Sequence, residues 1–259
     1  MDIVVQALAA FARSDQADQR MAKNDSAAQN VRTIRGVGSP AGPTSRSIDV
    51  RDAALTLFAD RGYHATSMRD IAAELKLQAP SLYNHVTAKQ EILRDIMADT
   101  MHALMKNVRG VLATTDDPYD QLRRAAETHV RYHARHHREV RVGNHEIAAL
   151  EEPHRTAITG LRREYSRLFV RLIERGVEAG AFATRSPLLA SYAILQMGIG
   201  VSMWFRPGGS LSEDDVVFEY GNIALDVVGA KRSPAKAKAP PTAKKTAAPA
   251  KRGAKKKRA

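Results

Sequence analysis

The sequence predicts an all-α protein of about nine helices. Three observations carry this. Apolar residues recur at helical spacing through residues 45–229, helix-capping signals recur between those stretches, and no segment alternates apolar and polar residues as a strand would. The first helix gathers Ala53, Ala54, Leu57 and Phe58 with Ile48 on one stripe, and Gly62 ends it. Ser67-Met68-Arg69-Asp70 is a capping box ahead of Ile71, Ala72 and Leu75. A tight turn, Lys76-Leu77-Gln78, leads to a second short helix over 79–85 with Leu82 facing inward. Thr87-Ala88-Lys89-Gln90 reads as another capping box, opening a long helix toward Val111. Asp117-Pro118, Glu152-Pro153 and Ser186-Pro187 each place proline at a first helical position. Ser212 with Asp215 caps the last helix.

Two short helices joined by a tight turn form a helix-turn-helix, whose second helix can enter the major groove of double-stranded DNA. Ala79, Pro80 and Ser81 are small enough at the front of that helix for close approach to base edges. Tyr83, His85 and Lys89 follow at positions from which they can donate to phosphates.

The net charge of +12 is local. Twelve of the 40 Lys and Arg residues follow residue 230, where no Asp or Glu occurs, which leaves 28 basic against 28 acidic residues. The excess therefore describes a Lys/Ala/Pro-rich tail and says nothing of the folded part. That tail has no large apolar residue and is expected to be disordered; it can neutralise phosphates without reading sequence. Four regions follow: a flexible N-terminal extension over 1–44 with an optional short helix within 3–13, a DNA-binding domain over 45–91, a helical ligand-binding and dimerisation domain over 92–229, and the basic tail over 230–259.

Composition also excludes classes. The absence of cysteine removes disulfides and thiolate metal sites and favours a cytoplasmic address. No run of eighteen apolar residues occurs, so no membrane partner is expected, and Asp2 stands where a secretion signal carries positive charge. No nucleophile elbow, phosphate loop or dinucleotide fingerprint is present, so neither an enzyme nor a cofactor is expected. His129, His133 and His137 recur at i, i+4 and i+8, a metal-ligand spacing, with His136, His145 and His154 nearby. Arg131, Arg135 and Arg138 interleave with them and repel a cation, so the expectation is a polar, partly exposed helix with no metal.

Residues 57–93, LFADRGYHATSMRDIAAELKLQAPSLYNHVTAKQEIL, resemble the TetR-family DNA-binding domain along their whole length. Phe58, Gly62, Tyr63, Thr66, Ile71, Ala72, Leu82, Tyr83, His85 and Lys89 carry the likeness; Leu77-Gln78 departs from it, since the family often has glycine near the turn. The resemblance implies backbone contacts from Tyr83, His85 and Lys89, helped by Thr66, Arg69 and Ser81. Met68, Ala79 and Asn84 become the variable positions facing bases, with Pro80 between them. It further implies a homodimeric repressor released by a small-molecule effector, with the helices over 187–205 and 213–228 forming a four-helix dimer contact; a DNA-bound regulator with a basic tail is expected in the cytoplasm, associated with the nucleoid.

Residues 175–217 resemble a subset of that family that controls lipid or sterol catabolism and responds to acyl-CoA. The run Trp204-Phe205-Arg206-Pro207-Gly208-Gly209 carries most of the likeness. On that resemblance Met101, Leu104, Met105, Leu122, Met197, Val201 and Trp204 line a pocket, and Arg131, Arg135, Arg141 or Arg155 meets a phosphate or carboxylate. The alternative is a nucleoid architectural protein acting through its basic tail.

Overall fold

The computed structural model describes residues 45–84 and 86–231. The N-terminal extension, His85 and the tail from residue 232 lie outside the described residues, and so do the expectations placed on them. Nine α-helices are present among the described residues: α1 Ser45–Arg61, α2 Met68–Glu74, α3 Ala79–Leu82, α4 Lys89–Leu112, α5 Pro118–Arg135, α6 His137–His145, α7 His154–Glu178, α8 Pro187–Trp204 and α9 Glu213–Val227. A 3₁₀ turn, Ile147–Ala149, follows α6, and no strand occurs among these residues.

Most helix boundaries follow from local chemistry. Gly62 ends α1 with φ +88, a conformation that costs glycine nothing. Ser67 and Asp70 close the expected box reciprocally, the Ser67 Oγ accepting from the Asp70 amide at 3.2 Å and Asp70 Oδ2 from the Ser67 amide at 2.7 Å. Asp117, Ser186 and Ser212 cap α5, α8 and α9 through their side chains. Two expected starts differ. Ala88 is the N-cap of α4, because the Thr87 hydroxyl donates to the Glu91 carboxylate instead of accepting from a backbone amide. Pro153 is the N-cap of α7 and not its first residue.

Helix α5 is the centre of the larger domain and packs on α4, α7, α8 and α9. The core there gathers Met101, Leu104, Met105 and Leu122 with Phe169, Leu172, Ile173, Ile194 and Leu225. A second cluster joins α1, α2 and α3 to α4 and to Val142, Leu150 and Ile158. Helix α8 is long and apolar enough by composition to cross a bilayer, with mean hydropathy 1.2 over its 18 residues. Its inner face is instead committed to the protein core through Ala190, Ser191, Ile194, Gly198 and Val201.

One polar group organises that core. His129 is fully buried; its Nε2 faces the Leu195 carbonyl of α8 at 3.0 Å and its Nδ1 faces the Tyr165 hydroxyl of α7 at 2.9 Å. A carbonyl can only accept, so Nε2 carries the proton and Nδ1 accepts from Tyr165. Gly198 lets α8 come this close, because a Cβ there would stand 2.3 Å from the His129 ring. His133, one turn later, donates from Nδ1 to the His129 carbonyl at 2.8 Å and is also buried. The expected polar, partly exposed face is therefore corrected: these two rings point inward, while Arg131 and Arg135 turn outward to the start of α9.

Burial disfavours the imidazolium, lowering His133 to about 4 and His129 well below its ordinary value. The unfolded rings take up protons below about 6.5, the folded ones only at lower pH. Stability contributed by the neutral rings is thus complete above about pH 6.5 and lost as pH falls toward 4. His133→Leu should flatten this dependence: the drop in unfolding free energy from pH 7.5 to 5, measured by urea titration, should be smaller than in wild type by on the order of 1–3 kcal/mol. Identical drops would show that His133 does not titrate as a buried base.

Candidate nucleic-acid interface

The reading head is built outward from Ile71, Ala72 and Leu82, buried against α1 and α4. Helix α2 ends in a Schellman turn: the Leu77 amide donates to Ala72 O at 2.8 Å and the Lys76 amide to Ala73 O at 3.0 Å. That geometry puts Lys76 at φ +56, where glycine is usual. A lysine occupies the left-handed position that closes this turn. Helix α3 then spans only Ala79–Leu82, shorter than the expected 79–85, although the Val86 amide still reaches Leu82 O at 3.2 Å. Gln78, its N-cap, offers no side-chain cap, and Tyr83 and Asn84 are weak helix formers, so little extends the helix beyond one turn.

Pro80, Ser81, Tyr83 and Asn84 form an exposed edge, with Tyr83 53% exposed. Arg69 is exposed one helix earlier. Met68 and Ala79 are half-buried and pack in part against the reading-head core, so they present less surface than the sequence suggests. Gln78 and Lys76 are exposed on the same turn and were not among the expected contacts. Their signal is the turn geometry, which needs the structure.

Two expected contacts are placed differently. Thr66 is 1% exposed and its hydroxyl donates to the Gly62 carbonyl at 2.9 Å, so it closes the end of α1 and is corrected from a phosphate helper to a structural residue. The Lys89 ammonium donates to the carbonyls of Tyr63 at 2.8 Å and Thr66 at 2.6 Å, and lies 4.0 Å from the centre of the Tyr63 ring. Desolvation in that nest pulls its pKa below the ordinary lysine value, against the opposing pull of Asp70 and Glu146. At the same residue, Glu146 Oε1 accepts from the Tyr63 amide at 3.2 Å. Gln90 donates to Ala149 O at 2.8 Å and accepts from the Glu151 amide at 3.1 Å. Neither Glu146 nor Gln90 was legible beforehand, since each binds backbone far along the chain.

Five of the seven expected effector-pocket residues gather in one packed cluster, and two lie elsewhere. Met101, Leu104, Met105 and Leu122 are core, with Met197 packed at its edge. Val201 belongs to a separate cluster with Val130, Ala134, Phe205, Val216 and Val217. Trp204 is 45% exposed, with Phe205 and Tyr220 as ring neighbours at 6.2 and 6.4 Å. The arginines expected to await an anion are also corrected: Arg131 pairs with Glu213 and Asp214, Arg135 with Glu213 and Arg155 with Glu152. Arg141 borders an open groove between the end of α1 and α6 with Arg61, His145 and Glu146.

A short exposed helix that follows a capped helix through a tight turn is a helix-turn-helix, the geometry by which many proteins enter the major groove. Residues 50–96 match the model of bacterial regulatory proteins of the tetR family, and residues 115–228 match the tetracyclin repressor-like C-terminal domain. The HTH-type transcriptional repressor KstR2 of Rhodococcus jostii is 30% identical over 187 residues, covering 71% of this chain and 92% of the relative. A crystal structure of a tetR-family regulatory protein from Rhodococcus RHA1 superposes with TM-score 0.69 at 30% identity, over 73% of this chain and all of that one. The ketosteroid transcriptional regulator KstR2 of Mycobacterium tuberculosis gives TM-score 0.67 at 25% identity, over 76% and 100%. The chain belongs to the TetR family.

Lys76 supplies a test of the turn. A non-glycine residue in left-handed backbone costs roughly 1 kcal/mol, so Lys76→Gly should raise thermal stability or leave it level, despite the freer unfolded chain. A clear loss of melting temperature would mean that the Lys76 side chain itself stabilises the turn.

Proposed function

We propose that the protein is a homodimeric repressor whose two copies of α3 enter successive major grooves of a palindromic operator, and that a small-molecule effector releases it. The observation that carries this is the exposed edge Pro80, Ser81, Tyr83 and Asn84 on a helix held by the buried Leu82. Exposed side chains on a supported turn, small at its front and polar behind, suit base and phosphate contacts. Arg69 belongs to the same contact surface, as does His85 by sequence; Met68 and Ala79 contribute edges of the core-packed side. The domain limits proposed are 45–91 for DNA and 92–229 for effector and dimer. The tail beyond residue 230 adds a sequence-independent attraction to DNA, in the cytoplasm and on the nucleoid.

Pairing is supported by the outer side of α8 and α9. Leu188, Leu189, Met203, Trp204 and Ile223 are exposed there, with Leu189 at 65% and Met203 at 76%. A run of this kind on two adjacent helices is more apolar than a solvated face needs. Ile194 and Gly198 face the chain's own core, so they report on folding and not on pairing. For the effector, the resemblance of residues 175–217 and the ketosteroid regulator among the relatives support an acyl-CoA or similarly amphipathic metabolite of lipid breakdown. Because the four core members of the expected pocket are packed together, such a ligand would have to part α4 from α5 or enter from the Trp204 side.

Two outcomes are expected. Tyr83→Phe should keep its melting temperature, since the exposed side chain supports no packing, and bind a selected operator duplex about tenfold more weakly, the equivalent of roughly 1.4 kcal/mol. Selection from random duplexes that enriches no palindrome would overturn the repressor reading. Leu189→Asp, on the exposed face, should shift sedimentation from dimer to monomer with helicity intact. Wild-type protein sedimenting only as monomer at micromolar concentration would remove the pairing.

A further inference from the structure

The reading head and the root of the basic tail lie at opposite ends of α4. The start of α4 belongs to the head, where Ile92 and Leu93 are buried in one cluster with Leu82. Its 24 residues carry the chain about 36 Å away, at 1.5 Å per residue. At that far end the Gln121 side-chain amide donates to Leu112 O at 3.1 Å and Thr115 O at 2.6 Å, which ties the first turn of α5 to the end of α4. Helix α9 runs antiparallel to α5. Glu213 at its start pairs with Arg131 and Arg135 near the end of α5, while Asn222, Leu225 and Asp226 near its end share a small pocket with Tyr119 at the start of α5. Ala230 lines the same pocket. Three backbone bonds then fix the place where the tail leaves. The Ala183 amide donates to Val228 O at 2.9 Å, the Ala230 amide to Leu225 O at 2.9 Å and the Lys231 amide to Ala181 O at 3.1 Å. The tail is therefore rooted beside the end of α4, the length of that helix away from the reading head.

Residues 232–259 hold eleven Lys or Arg and no Asp or Glu. A residue spans at most about 3.4 Å, so a path of about 36 Å back to the head consumes about ten residues drawn taut. Arg232, Lys236 and Lys238 fall within those ten and stay short of DNA held by α3. The other eight basic residues reach it only if the first ten are stretched against their conformational entropy. A duplex passing the far end is open to all eleven without that cost, and neutralising its phosphates needs charge but no fixed fold. A neighbouring stretch of the DNA that the head holds meets the tail at high effective concentration. We propose that the protein holds two DNA segments at once, the operator at the reading head and a second duplex, of any sequence, at the tail. This rests on the operator-binding reading above. It places the tail's contact on a segment other than the one being read, so the chain acts as a bridge and not as a clamp on its own site.

The probe is a short duplex that wild-type protein selects from random sequence. It is immobilised sparsely, saturated with protein, washed, and then offered a long labelled duplex that lacks the selected site. Full-length wild type is compared with a full-length variant in which the eleven Lys and Arg of residues 232–259 are replaced by Gln. Circular dichroism and sedimentation confirm that the two fold and associate alike. At low salt we expect wild type to retain about tenfold more labelled duplex than the variant, and the excess to vanish as salt rises, because each neutralised phosphate adds about 0.9 to the log–log slope. Affinity for the short duplex alone, in dilute solution, should differ between the two by less than about threefold, with slopes within about one unit of each other. A tail that folds back onto the operator gives the opposite pattern: no second duplex is retained, and neutralising the tail lowers the short-duplex slope by several units. Either half of that pattern overturns the proposal while leaving operator binding intact. Equal retention by wild type and variant also overturns it, because a surface other than the tail then holds the second duplex. Wild-type protein that selects no duplex overturns this proposal and the repressor reading together.

Discussion

The larger domain depends on how closely α8 can approach α5. Gly198 presents only hydrogen to the His129 ring, and that ring is fixed at both nitrogens, by Tyr165 of α7 and by the Leu195 carbonyl of α8. A single neutral imidazole thus sets the spacing of three helices inside an otherwise apolar core. Apolar packing alone would tolerate sliding of smooth helix faces, whereas a doubly bonded ring in a glycine notch allows one register. Helix α9 is then drawn onto the same α5 by charge at its start, where Arg131 and Arg135 meet Glu213 in the first turn. Those carboxylates also lie at the positive end of the α9 dipole, so the pairing and the helix start reinforce each other.

The smaller domain is joined to this frame through α4, which runs through both cores. Its buried face changes allegiance along its length, from Ile92, Leu93 and Ile96 in the smaller core to Leu104, Met105 and Val108 in the larger one. The polar ties at the joint come from three elements. Arg162 of α7 donates to the Gly143 carbonyl near the end of α6, Glu146 takes the Tyr63 amide, and Gln90 holds the segment beyond. Movement of α6 therefore cannot stay within one domain.

Much of this was legible in the sequence, and the reason is locality. The Ser67–Asp70 box, the proline starts at Pro118 and Pro187 and the stop at Gly62 each join residues a few positions apart, so one segment contains the whole interaction. The reading head was found for the same reason. What failed was long-range. Lys89 looked like a surface donor because its partners are backbone carbonyls more than twenty residues away, which every residue has and no sequence marks. His129 and His133 looked exposed because arginines interleave with them, yet the arginines have their own carboxylates on α9, some eighty residues away. Met and Leu at helical spacing could not distinguish a pocket wall from a core, and the packed cluster around Leu122 is a core.

The outer side of α8 has one more consequence. Its inner side is satisfied within the chain, while Leu189 and Met203 remain in water until something covers them. Where that cover is a second copy, part of the stabilising energy exists only after two chains have met, and the measured stability becomes a function of how much protein is present. A dilute chain would then be the more fragile one, exposed for longer to proteolysis and to unwanted association through the same stripe. Abundance in that case is a structural variable: below the concentration at which copies pair, the molecule loses part of what holds it folded along with its second reading head.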